Sequence, residues 1–264
     1  MRSTVTPNPQ AFQKSYRSEG RELHCGDFRV VLAKMPRVDL ILTSPPYNIG
    51  SECERRTGPR ALGGYDPKSF GAVRSYPDSL PEDEYQASQT RAMKWMANHV
   101  KETGNVVYNH KPRHKNRKLI KPESWFPTEL TQVDEIVWDR GSTHNHCKTF
   151  LYSTTERLYV FSREGCEKQQ FFQNEGLSDV WRFPPRRDGS THDAQYPLEL
   201  ARRCIRLWSR PGDTVCDPYS GSGTTMIAAA LEGRKFIGAE LMEGHFEASE
   251  RRFQEFVREQ VIAV

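Results

Sequence analysis

The stretch Thr214–Thr225 constrains the fold more than any other. A short apolar run, Thr214-Val215-Cys216, leads through Asp217-Pro218-Tyr219 into Ser220-Gly221-Ser222-Gly223 and on into a helical run at Thr224–Leu231. A strand that turns through glycines into a helix returns to the sheet by a crossover, which sets the next strand parallel to the first. Lys235–Ala239 reads as that next strand. The alternation recurs along the chain. Glu22–Gly26 and Val38–Thr43 read as strands around a short helix at Arg29–Met35, and a helix at Pro81–Thr103 precedes a strand at Gly104–Tyr108. Gln132–Trp138 and Glu156–Phe161 are further strands, Leu198–Trp208 is a helix, and Gly244–Val261 a terminal helix. This pattern predicts an α/β fold, a mostly parallel sheet with helices on both faces. Ligands of such sheets bind beyond the carboxyl ends of the strands. Ser44, Asp217 and Glu240 all stand at or just past strand ends, so they are expected to share one crevice.

With 264 residues, 36% of them hydrophobic, the chain is long enough for one substantial domain carrying inserted loops. No apolar segment approaches membrane-spanning length, and Met1–Gly20 has no signal-peptide core, so a soluble intracellular protein with no membrane partner is expected. Met1–Ser18 reads as an arm or capping segment. The six cysteines, Cys25, Cys53, Cys147, Cys166, Cys204 and Cys216, form no C-x-x-C pair and read as free thiols. His144-Asn145-His146-Cys147 has metal-ligand residue types without a matching second cluster, so no metal is expected.

Val38–Thr43 runs into Ser44-Pro45-Pro46-Tyr47. Two prolines can neither continue a ladder nor sit inside a helix, so the strand stops there. The tip offers a hydroxyl, carbonyls that no further ladder satisfies, and an aromatic ring. A flat ring stacked on Tyr47 would bring an exocyclic amine against those oxygens, which suits chemistry on a nucleobase. The same four residues also read as a strand-to-loop corner with a packing tyrosine.

The glycine turn lacks the lysine of a Walker loop and the third glycine of a full dinucleotide fingerprint. Its glycines let backbone approach a ligand, and the helix N-terminus offers free N–H groups. Asp217 is placed to hold an ammonium or a ribose hydroxyl. Glu240, with Leu241 beside it, follows the turn by about 20 positions and is placed to accept from ribose hydroxyls. Together they describe a site for an adenosine-containing cofactor.

The net charge is only +4, but the cations cluster. Lys111, Arg113, Lys115 and Arg117 lie in one basic segment. Arg182, Arg186 and Arg187 stand with Trp181 and Phe183, and Arg55, Arg56 and Arg60 follow the Tyr47 tip. Cations interleaved with aromatics and glycines suit a phosphate-contacting surface. The alternative is a set of solvated loops.

Taken together, these motifs resemble the S-adenosylmethionine-dependent amino-methyltransferases of DNA. Asp217–Thr225 is similar to that family's cofactor loop, D-P-F-x-G-S-G-T-T, with Tyr219 in the Phe position and Ser220, Gly221, Gly223, Thr224 and Thr225 following. Ser44–Tyr47 is similar to its catalytic (D/N/S)-P-P-(Y/F) motif. The catalytic motif precedes the cofactor loop, the circularly permuted order of the family's β group. The resemblance implies a Rossmann-like methyltransferase fold. It also implies an adenine contact at Gly26-Asp27-Phe28, and an H-x-x-x-x-P segment at His192–Pro197, where Tyr196 stands in place of the frequent Lys.

The implied reaction is methyl transfer from S-adenosylmethionine to an exocyclic amine of a base flipped out of double-stranded DNA. Pro45 and Ser44 would accept its N–H groups, and Tyr47 would stack on the base. Serine at the first motif position is associated in the family with N4 of cytosine, aspartate with N6 of adenine, and the cytosine reading is preferred here. N6-adenine methylation stays open as the alternative, with RNA methylation or a silent nucleic-acid-binding module behind it. Candidate DNA-recognition loops are residues 48–77, 110–121 and 166–187. A homodimer and a separate restriction endonuclease are compatible partners.

Overall fold

The computed structural model describes residues 14–48, 78–115, 117–141, 151, 153–165, 176–184 and 196–262. Their core is a nine-stranded sheet. The strands, in chain order, are β1 (Ser15–Ser18), β2 (Arg21–Cys25), β3 (Val38–Thr43), β4 (Val100–His110), β7 (Leu130–Asp139), β8 (Thr155–Arg163), β9 (Val180–Arg182), β10 (Thr214–Asp217) and β11 (Lys235–Glu240). A separate hairpin pairs β5 (Arg113–Lys115) with β6 (Lys118–Ile120). The sheet order is β1-β2-β11-β10-β3-β4-β8-β7-β9. The stretch from β2 through β11, β10 and β3 to β4 is wholly parallel, as is the β7–β9 pair; β1, and β8 against its two neighbours, run antiparallel.

Among the described residues five helices flank the sheet: α1 (Phe28–Val31), α2 (Glu82–His99), α3 (Leu198–Trp208), α4 (Thr224–Leu231) and α5 (Glu243–Ile262). Alternation along each strand feeds two cores. Leu40 and Leu42 of β3 join Val107, Leu158, Val160 and Val215 against α3, α4 and α5. Ile41 joins Val106, Tyr108, Tyr159 and Cys216 against α1 and α2. A sheet buried on both faces needs continuous apolar strands, which is why Val38–Thr43 reads as a run rather than an alternation.

The arm at Met1–Ser18 is corrected: Ser15–Ser18 forms the edge strand β1 against β2. Helix α1 ends at Val31 rather than Met35, a few residues before Pro36, which disfavours helix in the residue preceding it. Helix α2 ends at His99 because Val100 is taken by β4, where it pairs with Val38. At Gly104 any Cβ would lie 2.6 Å from the Asp39 carbonyl, so only glycine lets these strands approach. Within the candidate recognition loop 166–187, Val180–Arg182 forms β9 beside β7. Cys25, Cys204 and Cys216 are buried free thiols. His144–Cys147 lies outside the described residues, and among those described no cluster of ligands could hold a metal ion. No described helix is long and apolar enough to cross a membrane.

Candidate active site

Because β2, β11, β10 and β3 are neighbours and parallel, their carboxyl ends line up along one edge of the sheet. Asp27 follows β2, Glu240 closes β11, Asp217 closes β10, and Ser44 follows β3. The strand ends therefore align at one edge as the sequence predicts, and the turns that follow them are tied together. The Gly26 amide donates to the Glu240 carbonyl at 2.8 Å, and the Ser220 amide to the Ala239 carbonyl at 2.9 Å.

Asp217 departs from its expected role. Its Oδ1 accepts from Thr43 Oγ1 (2.8 Å) and the Tyr219 amide (3.1 Å), and its Oδ2 from Thr225 Oγ1 (2.5 Å) and the Tyr196 hydroxyl (3.4 Å). A carboxylate 2% exposed and met by donors of the chain has nothing left for a ligand's ammonium or ribose. It is a strut joining β3, the turn and α4. Burial pushes its carboxyl up, and the bonds from Thr225, Thr43, Tyr219 and Tyr196 pull it back only in part. Tyr196 also meets Thr225 Oγ1, and burial lifts its phenol well above the usual range. In the position where the family often has lysine it braces the turn and brings no cation.

The ligand-facing capacity lies beside Asp217. Ser220 Oγ is buried and has no hydrogen-bond partner among the described residues. Glu240 accepts from the Gly221 amide through Oε2 and the Met242 amide through Oε1, both at 2.9 Å, and His245 Nδ1 lies 3.9 Å from Oε1. Burial raises its carboxyl, opposed by the Met242 and Gly221 amides. Leu241 next to it is 44% exposed. Gly223, at φ 77°, caps α4 where a Cβ would run into Ser249 Oγ. The Phe28 ring packs 5.1 Å from Tyr219 and 4.9 Å from Trp95, so the acidic turn and the glycine turn touch through aromatics. Asp27 caps α1 through the Arg29 amide (2.9 Å) and holds the Arg29 guanidinium. Burial alone would raise its carboxyl, but Arg29 brings it below the usual range. A buried hydroxyl without a described partner, a carboxylate at the end of a strand and an exposed apolar side chain beside it fit an adenosine-containing group.

At the tip, the Tyr85 hydroxyl donates to the Pro46 carbonyl (2.8 Å) and meets His110 Nε2 at 2.7 Å. On the other side of the ring, His110 Nδ1 lies 2.8 Å from the Lys111 amide and 2.9 Å from the Lys111 carbonyl. Burial pushes His110 down to about 3, which keeps the imidazole neutral. No described residue donates to the Pro45 carbonyl. Ser44 Oγ lies 3.0 Å from the Tyr47 hydroxyl, which in turn lies 2.9 Å from both Asn109 Oδ1 and Glu156 Oε2. Tyr85, Asn109, His110 and Glu156 were missed in the sequence. One signal was there: Glu156 shares its strand face with Leu158 and Val160, a carboxylate in register with core residues.

The basic segment is largely structural. Arg113 is buried, paired with Glu82 (Nη2–Oε1, 2.7 Å) and stacked on Tyr85 and Trp125 at 4.6 and 5.7 Å from the ring centres. It is therefore withdrawn as a DNA contact: glutamate and aromatics consume it. Lys111 is half-buried with Nζ 5.5 Å from the Tyr47 ring centre, and burial lowers its ammonium. Lys115 leans on Glu82 at 3.4 Å; Arg117 is exposed, and Arg182 is exposed but paired with Asp139 at 2.8 Å. Arg55, Arg56, Arg60, Arg186, Arg187 and His192–Gln195 lie outside the described residues.

Comparison with known proteins agrees with this layout. A family profile described as DNA methylase, covering N6 and N4 enzymes, matches residues 38–251. The type II methyltransferase M.ScaI of Streptomyces caespitosus is 25% identical, over 88% of this chain and 81% of its own. The DNA adenine methyltransferase YhdJ of Escherichia coli is 26% identical, over 89% and 83%. Among solved structures, the cytosine-N4-specific PvuII DNA methyltransferase superposes with a TM-score of 0.69 at 18% identity, covering 89% of this chain and 87% of that one. A modification methylase from Thermus thermophilus, solved with S-adenosyl-L-methionine, superposes at 0.63 with 22% identity over 90% and 94%.

Proposed function

The chain belongs to the N6/N4 DNA methylase family, S-adenosylmethionine-dependent enzymes that methylate exocyclic amines of DNA, and we propose that its target is N4 of cytosine. The observation that carries this choice is Ser44. A neutral hydroxyl, not a carboxylate, stands at the tip beside the open Pro45 carbonyl, and serine in this motif is associated with the cytosine enzymes. The likeness to the cytosine-specific PvuII enzyme supports it. The adenine reading draws on the likeness to YhdJ.

S-adenosylmethionine supplies an activated methyl on a sulfonium; the residues of the chain supply geometry and charge. In the proposed arrangement Glu240 accepts from the ribose hydroxyls, Phe28 and Leu241 flank the adenine, Asp27 edges it, and Ser220, Gly221 and Thr224 line the turn. Tyr219, Gly223, Thr225, Tyr196 and Asp217 hold that turn in shape. The target amine is a poor nucleophile, because its lone pair is delocalised into the ring. Accepting both its N–H bonds, at the Pro45 carbonyl and at Ser44 Oγ, favours a tetrahedral nitrogen. The same oxygens stabilise the positive charge that develops there. The Pro46 carbonyl is held by Tyr85, so it is Pro45 that faces the amine. Tyr47 offers its ring to the flipped base, and the surplus proton leaves to water.

The described residues form one catalytic domain. Residues 48–77, 110–121 and 166–187 are proposed as recognition loops, with Lys111, Lys115, Arg117 and Arg182 as described phosphate-contact candidates beside Arg55, Arg56, Arg186 and Arg187. Phosphate contacts carry no base information, so they predict no target sequence. Mass spectrometry of nucleosides from DNA methylated in vitro tests the reading. N4-methylcytosine is expected; N6-methyladenine as the sole product overturns the cytosine assignment.

A further inference from the structure

Three polar side chains meet the Tyr47 hydroxyl, and one phenolic proton must serve them. The oxygen lies 3.0 Å from Ser44 Oγ, 2.9 Å from Asn109 Oδ1 and 2.9 Å from Glu156 Oε2. Asn109 cannot donate here. Its Nδ2 gives its hydrogen to the Arg157 carbonyl at 3.0 Å, which settles which end of the amide faces Tyr47. Glu156 does not donate either, since its other oxygen, Oε1, forms an ion pair with Arg140 Nη1 at 2.9 Å. The Tyr47 proton therefore points toward these two acceptors. In the remaining contact Ser44 is the donor and Tyr47 the acceptor. An unconstrained serine hydroxyl rotates and donates or accepts by turns. Here its one hydrogen is spent on Tyr47, and its lone pairs are left beside the Pro45 carbonyl, to which no described residue donates.

We propose that Glu156, acting through the Tyr47 hydroxyl, is a positioning residue that commits Ser44 to accept from the target base, and so selects bases bearing an exocyclic amine over those bearing an exocyclic carbonyl. The inference rests on the reading that Ser44 faces the target. An amine satisfies Ser44 Oγ and the Pro45 carbonyl with its two hydrogens. A carbonyl sets oxygen against oxygen and leaves desolvated acceptors unpaired, the kind of mismatch by which polar sites discriminate strongly. Cytosine and adenine both carry an amine, so the device is independent of the choice between them. It also removes the apparent weakness of serine, since the orientation a carboxylate has by nature is imposed on the hydroxyl by a carboxylate one residue removed.

A double-mutant cycle tests this, with tritiated methyl transfer to unmodified bacterial genomic DNA as readout. The wild type must first incorporate label; if it does not, the functional reading itself fails, separately from this inference. Glu156→Gln and Tyr47→Phe are each expected to lower kcat about 10- to 100-fold, the worth of a charge-assisted hydrogen bond, with the KM for S-adenosylmethionine unchanged. In a Ser44→Ala background the same changes are expected to cost less than about twofold, because the group they orient is gone. Equal losses in both backgrounds, or no loss from either variant, overturn the proposal. If Glu156→Gln does not fold because Arg140 loses its partner, Tyr47→Phe keeps that ion pair and decides alone.

Discussion

The glycine turn and the proline tip sit on adjacent strands and are built in opposite ways. At the turn every lone pair of the conspicuous carboxylate, Asp217, is met by the chain's own donors. At the tip the Pro46 carbonyl is capped by Tyr85, while no described residue donates to the Pro45 carbonyl or to Ser44 Oγ. The most recognisable residue of the turn is thus a strut of the fold. Satisfied groups hold shape, and the groups left open are the ones available for binding.

Removing the strut is the strongest way to break this contrast. Asp217→Ala strands the hydroxyls of Thr43, Thr225 and Tyr196 in the core; a loss of about 3–5 kcal/mol is expected in urea unfolding, with cofactor binding and transfer lost together. Ser44→Ala separates the two regions instead. Methyl transfer is expected to fall about 100-fold while calorimetry finds S-adenosylmethionine affinity within about twofold of wild type. A matching loss of both would make the tip structural.

Tyr85→Phe uncaps the Pro46 carbonyl and takes away the hydroxyl that meets His110 Nε2. A cost of about 1–2 kcal/mol is expected, along with a several-fold slower transfer; an unchanged melting temperature would show that water replaces the hydroxyl at no cost.

Asp217 and Glu82, the carboxylate that holds Arg113, also differ in their response to pH. Burial raises Asp217, so its contribution to stability falls as pH rises from the ordinary carboxyl value through the raised one. Burial alone would raise Glu82 too, but the Arg113 guanidinium and then Gln86 hold it below the usual range. Its contribution is full above the ordinary value and lost as pH falls through the depressed one. On acidification the penalty of Glu82→Gln should shrink and that of Asp217→Asn should grow, as read from urea midpoints at several pH values. Parallel trends would refute the contrast. The smallest effect is expected at Arg117→Ala, which should weaken DNA binding severalfold at most and lower the salt slope by about one. Arg113→Ala should instead cost stability and leave the slope alone.

The sequence by itself determined the parallel sheet, the strand at Val38–Thr43, the helices at Leu198–Trp208 and Thr224–Leu231 and the alignment of Ser44, Asp217 and Glu240 at one edge. All of these rest on local signals: apolar runs, prolines that stop strands and glycines that turn them. Only the tertiary structure decided which polar groups are spent. Glu156 reaches Tyr47 from a strand more than a hundred positions away, Tyr85 reaches Pro46 from α2, and Glu82 withdraws Arg113 from the surface. Hydrogen-bond saturation depends on neighbours across the fold, and no window of sequence contains both partners. The same residue types, Asp217 as a site and Arg113 as a DNA contact, therefore read differently until the chain is closed around them.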